Sequence, residues 1–275
     1  TIFQACSTIL SNIKDSVLEY NTDGLIFTPS NHPVGGETIE NPGPLSKYTW
    51  SKSFKWKPPE FNTIDFLVTV KKDSSGKDEI HHIFNDGKSL DKEQTLTQYK
   101  TLILRCGYDE KKHGYMNPYQ NIISDDLPNN DFYNDKEESY KPVPFIPTNP
   151  YDENAYMCNV YLISSGNKSY MMTEENEYFE ENTIVEFYYD KSKPGNWKWI
   201  PLRVRYDKTS ELRSGIKNYG NPFYVANNNW HTIHFPITEE VLTTGENISE
   251  INNSSDVYYN HNVNNTTTKK LRNFH

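Results

Sequence analysis

Two cationic pairs and one acid are the residues of this 275-residue chain whose types and spacing could do chemistry. The first pair is Lys55-Trp56-Lys57, closed by Pro58-Pro59. On an extended strand side chains two apart share a face, which sets Lys55 and Lys57 side by side with Trp56 packed on the other side. Two ammonium groups that close repel each other unless water screens them or a polyanion lies between them, and phosphate is the common polyanion that fits. The second pair is Arg203-Val204-Arg205, followed by Tyr206-Asp207-Lys208. If the strand continues through it, Arg203 and Arg205 also share a face, and the planar guanidinium suits bidentate contact with phosphate oxygens. A salt-bridged strand face is the plain alternative. The acid is Asp23 in Thr22-Asp23-Gly24-Leu25-Ile26-Phe27, which could hold a divalent cation or cap a turn.

The elements that must carry these residues follow from pattern. Ile2, Cys6, Ile9, Leu10, Ile13 and Val17 recur at helical spacing and predict an amphipathic helix over residues 2–14. A strand over Leu25, Ile26 and Phe27 stops at Pro29, and the Pro- and Gly-rich residues 30–46 read as an irregular loop. Trp50 to Trp56 reads as the next strand. Residues 64–70 and 80–84 read as a hairpin around a polar turn, and residues 99–106 as a further strand. Residues 107–154 lack either period and are expected to be a long surface insertion, most mobile over 125–140. Strands at 156–163, 169–172, 183–189 and 197–206, with turns rather than helices between them, suggest a small antiparallel barrel. A brief extended piece at 222–226 and a short helix at 238–243 follow, and then an Asn/Ser/Thr-rich linker.

Composition narrows the class. Net charge of −9 and a pI near 5.4 argue against a general nucleic-acid coat but leave room for a local basic cleft. Cys6, Cys106 and Cys158 lie far apart and give no zinc spacing. His81-His82 and His231-x-x-His234 are too sparse for a metal site and read as surface or strand histidines. No apolar run is long enough for a membrane helix, so no membrane partner is expected. There is no P-loop, no dinucleotide fingerprint and no Gly-x-Ser-x-Gly elbow.

Taken in order, the acid-Gly-apolar strand, the Lys-x-Lys pair and the Arg-x-Arg-x-Asp-Lys run in a β-rich segment resemble the covalent nucleotidyltransferase superfamily of mRNA capping enzymes and polynucleotide ligases. The capping enzymes are the closer match. Asp23 to Pro29 is similar to the family's fourth motif, Lys55 to Pro59 continued through Asn62-Thr63-Ile64-Asp65-Phe66 to its fifth, and Arg203 to Lys208 to its sixth. Ile184-Val185-Glu186 is similar to the strand preceding the sixth. Residues 201–209, with Trp230 and Pro236-Ile237-Thr238, resemble the multifunctional capping enzymes of poxviruses and giant DNA viruses.

The resemblance implies an α+β protein. Residues 1–60 would be the C-terminal part of a nucleotidyltransferase domain with an ATP-grasp-like antiparallel sheet. Residues 61–243 would be a mainly β OB-fold domain, and 244–275 a linker toward a methyltransferase domain. The implied activity is transfer of GMP from GTP, through a lysyl-GMP intermediate, to the 5′-diphosphate end of RNA. The family's Lys-x-Asp-Gly nucleophile motif has no counterpart in the chain and is expected upstream of Thr1, so the chain alone is not expected to form the adduct. Lys55 and Lys57 would act on the α-phosphate, and a divalent metal, Mg or Mn, would sit near Asp23. Arg203, Arg205 and Lys208 would orient the leaving pyrophosphate, with Asp207 holding their array. The implied partners are GTP, the RNA 5′ end, a small regulatory capping subunit and a methyltransferase domain in cis, in the host cytoplasm (viral factory) or the virion. An AMP-transferring ligase, a non-catalytic module binding RNA 5′ ends or a partner, and a viral structural protein are the alternatives.

Overall fold

The computed structural model describes residues 1–17, 19–20, 22–36, 40, 50, 52–84, 96–125, 139–165 and 168–246. The linker expected beyond residue 246, most of the loop at 30–46 and the core of the segment expected to be mobile, 126–138, lie outside the described residues. The chain divides into two compact units, Thr1–Pro59 with Ile237–His275, and Glu60–Pro236.

In the first unit helix α1 (Ile2–Lys14) follows its predicted period, burying Cys6 and Leu10. Thr1 caps it in a reciprocal box: its hydroxyl accepts from the Gln4 amide, and the Gln4 side chain accepts from the Thr1 nitrogen at 2.9 Å. Strands β1 (Leu25–Phe27) and β2 (Phe54–Trp56) pair antiparallel with Leu25 opposite Trp56. The strand expected from Trp50 is thus confined to its last three residues, with Lys52 in a turn.

In the second unit β3 (Thr63–Val70), β4 (Ile80–Phe84), β5 (Leu96–Asp109), β6 (Tyr140–Pro144), β7 (Met157–Ser165), β8 (Lys168–Met172), β9 (Tyr178–Phe179), β10 (Ile184–Tyr189) and β11 (Trp199–Val204) form one antiparallel sheet. Its path is β11-β10-β3-β5-β7-β8-β9. β5 organises it: one edge pairs β4 and then β3, and the other pairs β7 and then β6. A tight turn joins β3 to β4 as expected, through the Lys72–Asp78 bridge, but the ladder of each strand runs to β5 rather than to the other. The Glu174 and Glu175 amides donate to the Pro201 and Leu202 carbonyls at 2.9 and 3.1 Å, tying the turn after β8 to β11 and curling the sheet nearly into a barrel. Its core is aromatic. Phe66, Phe145, Phe187, Trp199 and Trp230 are all nearly inaccessible, with Phe66 and Trp199 edge to face at 5.2 Å.

Helices depart most from the sequence reading. Residues 107–154 are not a loose insertion throughout: they carry α2 (Glu110–His113), α3 (Pro118–Ile123) and β6, and Val143 and Phe145 are core residues. Trp199 to Val204 is strand, but Tyr206–Arg213 is helix α4. The piece expected to be extended at 222–226 opens helix α5 (Phe223–His234), which carries His231 and His234 and buries Phe223, Ala226, Trp230 and Ile233 at three- and four-residue spacing. Helix α6 (Glu239–Thr244), capped by Thr238, sits in the first unit, where Lys14 of α1 meets Glu239 at 2.6 Å. The structure is therefore a mixed helix and strand protein dominated by one large antiparallel sheet.

Candidate phosphate-binding residues

The Lys-x-Lys pair and Asp23 come together in the first unit through the β1–β2 ladder. Lys55 and Lys57 are exposed while Trp56 is buried and donates its indole N–H to the Ile237 carbonyl at 2.7 Å, as the alternation predicts. Because Leu25 stands opposite Trp56, the residues just outside that pair, Asp23-Gly24 and Lys57, meet across the ladder: Lys57 Nζ lies 2.9 Å from Asp23 Oδ2. The hydrogen bond and charge of Lys57 hold the Asp23 carboxyl below its ordinary range, with a smaller contribution from Lys55. Asp23 is 78% exposed, so the contact is worth little in stability and matters for placement. Gly24 makes it possible. At φ 147° it occupies a region that L side chains rarely adopt, and a Cβ there would stand 1.9 Å from the Trp56 carbonyl oxygen. Gly24→Ala is expected to lower stability by about 2 kcal/mol and to part Asp23 from Lys57; a thermal melt equal to wild type would contradict this.

The arginine-lysine set assembles in the second unit by register and by a strand-to-helix change. Glu186 of β10 stands opposite Arg203 of β11 on one side and Asp65 of β3 on the other, a cross-strand row of one cation and two carboxylates. Arg203 Nε donates to Glu186 Oε2 at 2.7 Å, and the Thr63 hydroxyl donates to Oε1 at 2.5 Å. Arg205 does not continue the face of Arg203. The strand ends at Val204 and Arg205 stands at the N-terminal boundary of α4, which turns its side chain to Asp65 (Nη1 to Oδ2, 2.5 Å) and, through Nε and Nη2, to Asp207 at 3.2 and 3.0 Å. Lys208, one residue further along α4, donates to the same Asp65 oxygen at 2.6 Å.

Asp65 is the hub of this set, and it is 5% exposed. Its backbone is clamped as well: Asp65 N donates to Asn221 Oδ1 at 2.7 Å, Asn221 N donates to the Asp65 carbonyl at 2.8 Å, and a Cβ on Gly220 would stand 2.4 Å from that carbonyl oxygen. Asp65, Glu186 and Asn221 were not among the site residues expected from sequence. The signal available was an acid in the middle of two strongly apolar strands, since a carboxylate buried there needs partners. Asp207 accepts from Arg205 through both carboxylate oxygens, and Asp65 joins Arg205 to Lys208. Three cations thus face three carboxylates. Arg203 is the most open, its side chain 49% exposed and bound to Glu186 through Nε.

Glu186 gives the array a pH dependence. Burial pushes its carboxyl up, but the hydrogen bonds from Thr63 and Arg203 and the charges of Arg203 and Arg205 outweigh this and hold it below its ordinary 4.5. A carboxyl depressed by folding stabilises the fold fully above its unfolded value, and that contribution fades as pH falls through the folded value. Thermal melts are therefore expected to drop below about pH 4.5, with a shallower slope in Glu186→Gln. An unchanged slope in that variant would contradict the assignment.

Among the described residues no cluster of three or more His, Cys, Asp or Glu side chains forms a metal site, and no helix is long and apolar enough to cross a membrane. All three cysteines are buried and unpaired, and burial raises the Cys106 and Cys158 thiols far above the range of a reactive thiolate.

No family model matches the sequence. The chain is similar to a protein of Acanthamoeba polyphaga mimivirus named "Probable mRNA-capping enzyme", 30% identical over 238 residues, which cover 84% of this chain. The same stretch covers 16% of the mimivirus protein, so the chain corresponds to a small part of that relative.

Proposed function

We propose that this chain is part of an mRNA guanylyltransferase, contributing the last portion of a nucleotidyltransferase domain and an OB-fold domain. The observation that carries the reading is the similarity over most of the chain to a protein named as a capping enzyme. Two structural features support it. The two-stranded β1–β2 sheet leaves Ile26 and Phe54 65% and 68% exposed, and so small a sheet is marginal by itself, as expected if other strands of a nucleotidyltransferase sheet cover it. The antiparallel sheet of the second unit curls nearly into a barrel, as an OB-fold does, with nine strands where that fold has five.

In the proposed reaction a lysine amine attacks the α-phosphate of GTP, a P–N bond forms and pyrophosphate leaves; the 5′-diphosphate of RNA then takes GMP and releases the lysine. That nucleophile belongs to a Lys-x-Asp-Gly motif absent from this sequence. Lys55 and Lys57 would stabilise the charge that grows on the α-phosphate. Arg203, Arg205 and Lys208 would orient the leaving pyrophosphate, with Asp65, Asp207 and Glu186 fixing their geometry beforehand. The described residues do not by themselves fit a divalent metal, because Asp23 is a single carboxylate already engaged by Lys57. A small regulatory subunit and a methyltransferase domain in cis would be partners of this chain in the full-length protein.

The test is labelling of the full-length protein from α-labelled GTP and, in parallel, from ATP in a divalent salt. A GTP-specific, acid-labile adduct that passes to 5′-diphosphate RNA is expected. An ATP-specific adduct would identify a ligase instead. The second reading, a non-catalytic module for RNA 5′ ends, is favoured by the missing nucleophile motif, and labelling from neither nucleotide would support it.

A further inference from the structure

Helix α3 turns its apolar side chains outward. Tyr119, Ile122 and Ile123 are 79%, 63% and 77% exposed, whereas Gln120 and Asn121 between them are half-buried. Spacing of three and four residues puts the apolar three on one face of the helix, and an apolar face left that open marks a contact surface rather than a core. The helix is held in this attitude. The Asn117 side chain caps it by accepting from the Gln120 amide at 3.3 Å, Gln120 Nε2 donates to Ser124 Oγ at 3.3 Å, and Met116, just before the cap, packs against the core.

The charges on the two sides of α3 say what fits there. Before it in the chain, α2 carries Lys111, Lys112 and His113; Asp109 is spent in accepting from the Lys112 amide and Glu110 faces Lys141, which leaves this side basic. After it, Asp125 and Asp126 open a run to residue 138 with six acids and one lysine. Acids at that end oppose the dipole of their own helix, so the helix itself does not account for them. A partner of uniform charge would meet one of the two sides with like charge. A second copy would not: laid antiparallel about a two-fold axis, the apolar face meets itself, and the basic side of each copy comes to the acidic side of the other. In a chain of net charge −9 two copies repel overall, so a contact between them needs such local matching.

We propose that the α3 face is a two-fold interface between copies of this chain, with Tyr119, Ile122 and Ile123 at its centre and Lys112 paired with Asp125 of the partner subunit. The proposal rests on residues 109–125 alone and stands whether or not the chain takes part in GMP transfer.

The experiment is sedimentation velocity of the full-length protein over a concentration series. Three side chains make a small contact beside the standard of about 800 Å² per partner, so a dimer that forms over roughly 10 to 100 µM is expected. Ile123→Asp is expected to weaken it about tenfold or more; because that side chain is 77% exposed, the melting temperature should not change. Lys112→Glu and Asp125→Lys alone should each sediment as monomers, since each sets like charges against each other at both symmetric contacts. An equimolar mixture of the two variants should dimerise, because both contacts then pair opposite charges. The proposal is overturned by a wild type that stays monomeric at about 100 µM, in which case another part of the protein or a different partner covers the face. It is likewise overturned by a dimer indifferent to Ile123→Asp, or by a mixture no more dimeric than its two components.

Discussion

Asp65→Ala is expected to destabilise the protein by about 3 kcal/mol, far more than loss of Asp207, the exposed carboxylate of the same array. The reason is what it leaves behind. Asp65 is 5% exposed and its Oδ2 takes both Arg205 and Lys208, so its removal strands Lys208 in a partly dry setting and leaves Arg205 with Asp207 alone. Breaking a buried pair by deleting one partner costs about 3–5 kcal/mol, and the side-chain exposures of 26% for Arg205 and 21% for Lys208 place the effect at the lower end. For a domain of this size that corresponds to a melting temperature lower by roughly 6–12 °C. Asp207→Ala removes a carboxylate that is 64% exposed, and its cost should stay within about 1 kcal/mol. Parallel thermal melts decide the matter: equal losses in the two variants would mean that Asp65 is not the hub.

This contrast also shows where the sequence was legible. Helix α1 was readable because its apolar residues keep a clean period, and strand β10 because it is a short run of β-branched and aromatic residues. Lys55 and Lys57 were legible for the same reason, since a strand that alternates around a buried tryptophan fixes where its neighbours go. β6 was hidden by Pro142 and Pro144, which argue against a strand although an edge position tolerates them. α5 was misread despite its buried stripe, because it begins after a proline and carries Asn227-Asn228-Asn229, poor helix formers whose cost the packing of Phe223 and Trp230 offsets. The change from strand to helix at Arg205 had no local signal. It sends Arg205 to Asp65, 140 positions away in the chain, a pairing that only the β3–β10–β11 register creates. The types of the site residues were thus readable, and their partners were not.

The second large effect concerns the lysines. If Lys55 and Lys57 face the α-phosphate, each supplies a fixed cation where negative charge develops, and loss of one such group costs about 100-fold to 1,000-fold in rate. Both side chains are exposed, so Lys55→Ala and Lys57→Ala should fold and melt as the wild type does, which separates a chemical role from a structural one. Lys57 has an added part, because its contact with Asp23 fixes where its ammonium stands. Lys57→Arg keeps the charge but exchanges a compact ammonium for a planar fork and should restore only a fraction of the activity.

The most direct measurement is the rate of covalent guanylate formation from α-labelled GTP by the full-length protein, wild type against Lys57→Ala, with melting temperatures recorded for both. A fall of about 100-fold or more at unchanged melting temperature is the predicted result. Labelling of Lys57→Ala at the wild-type rate would contradict the assignment of this pair to the α-phosphate, and absence of a guanylate adduct in the wild type would contradict the guanylyltransferase reading.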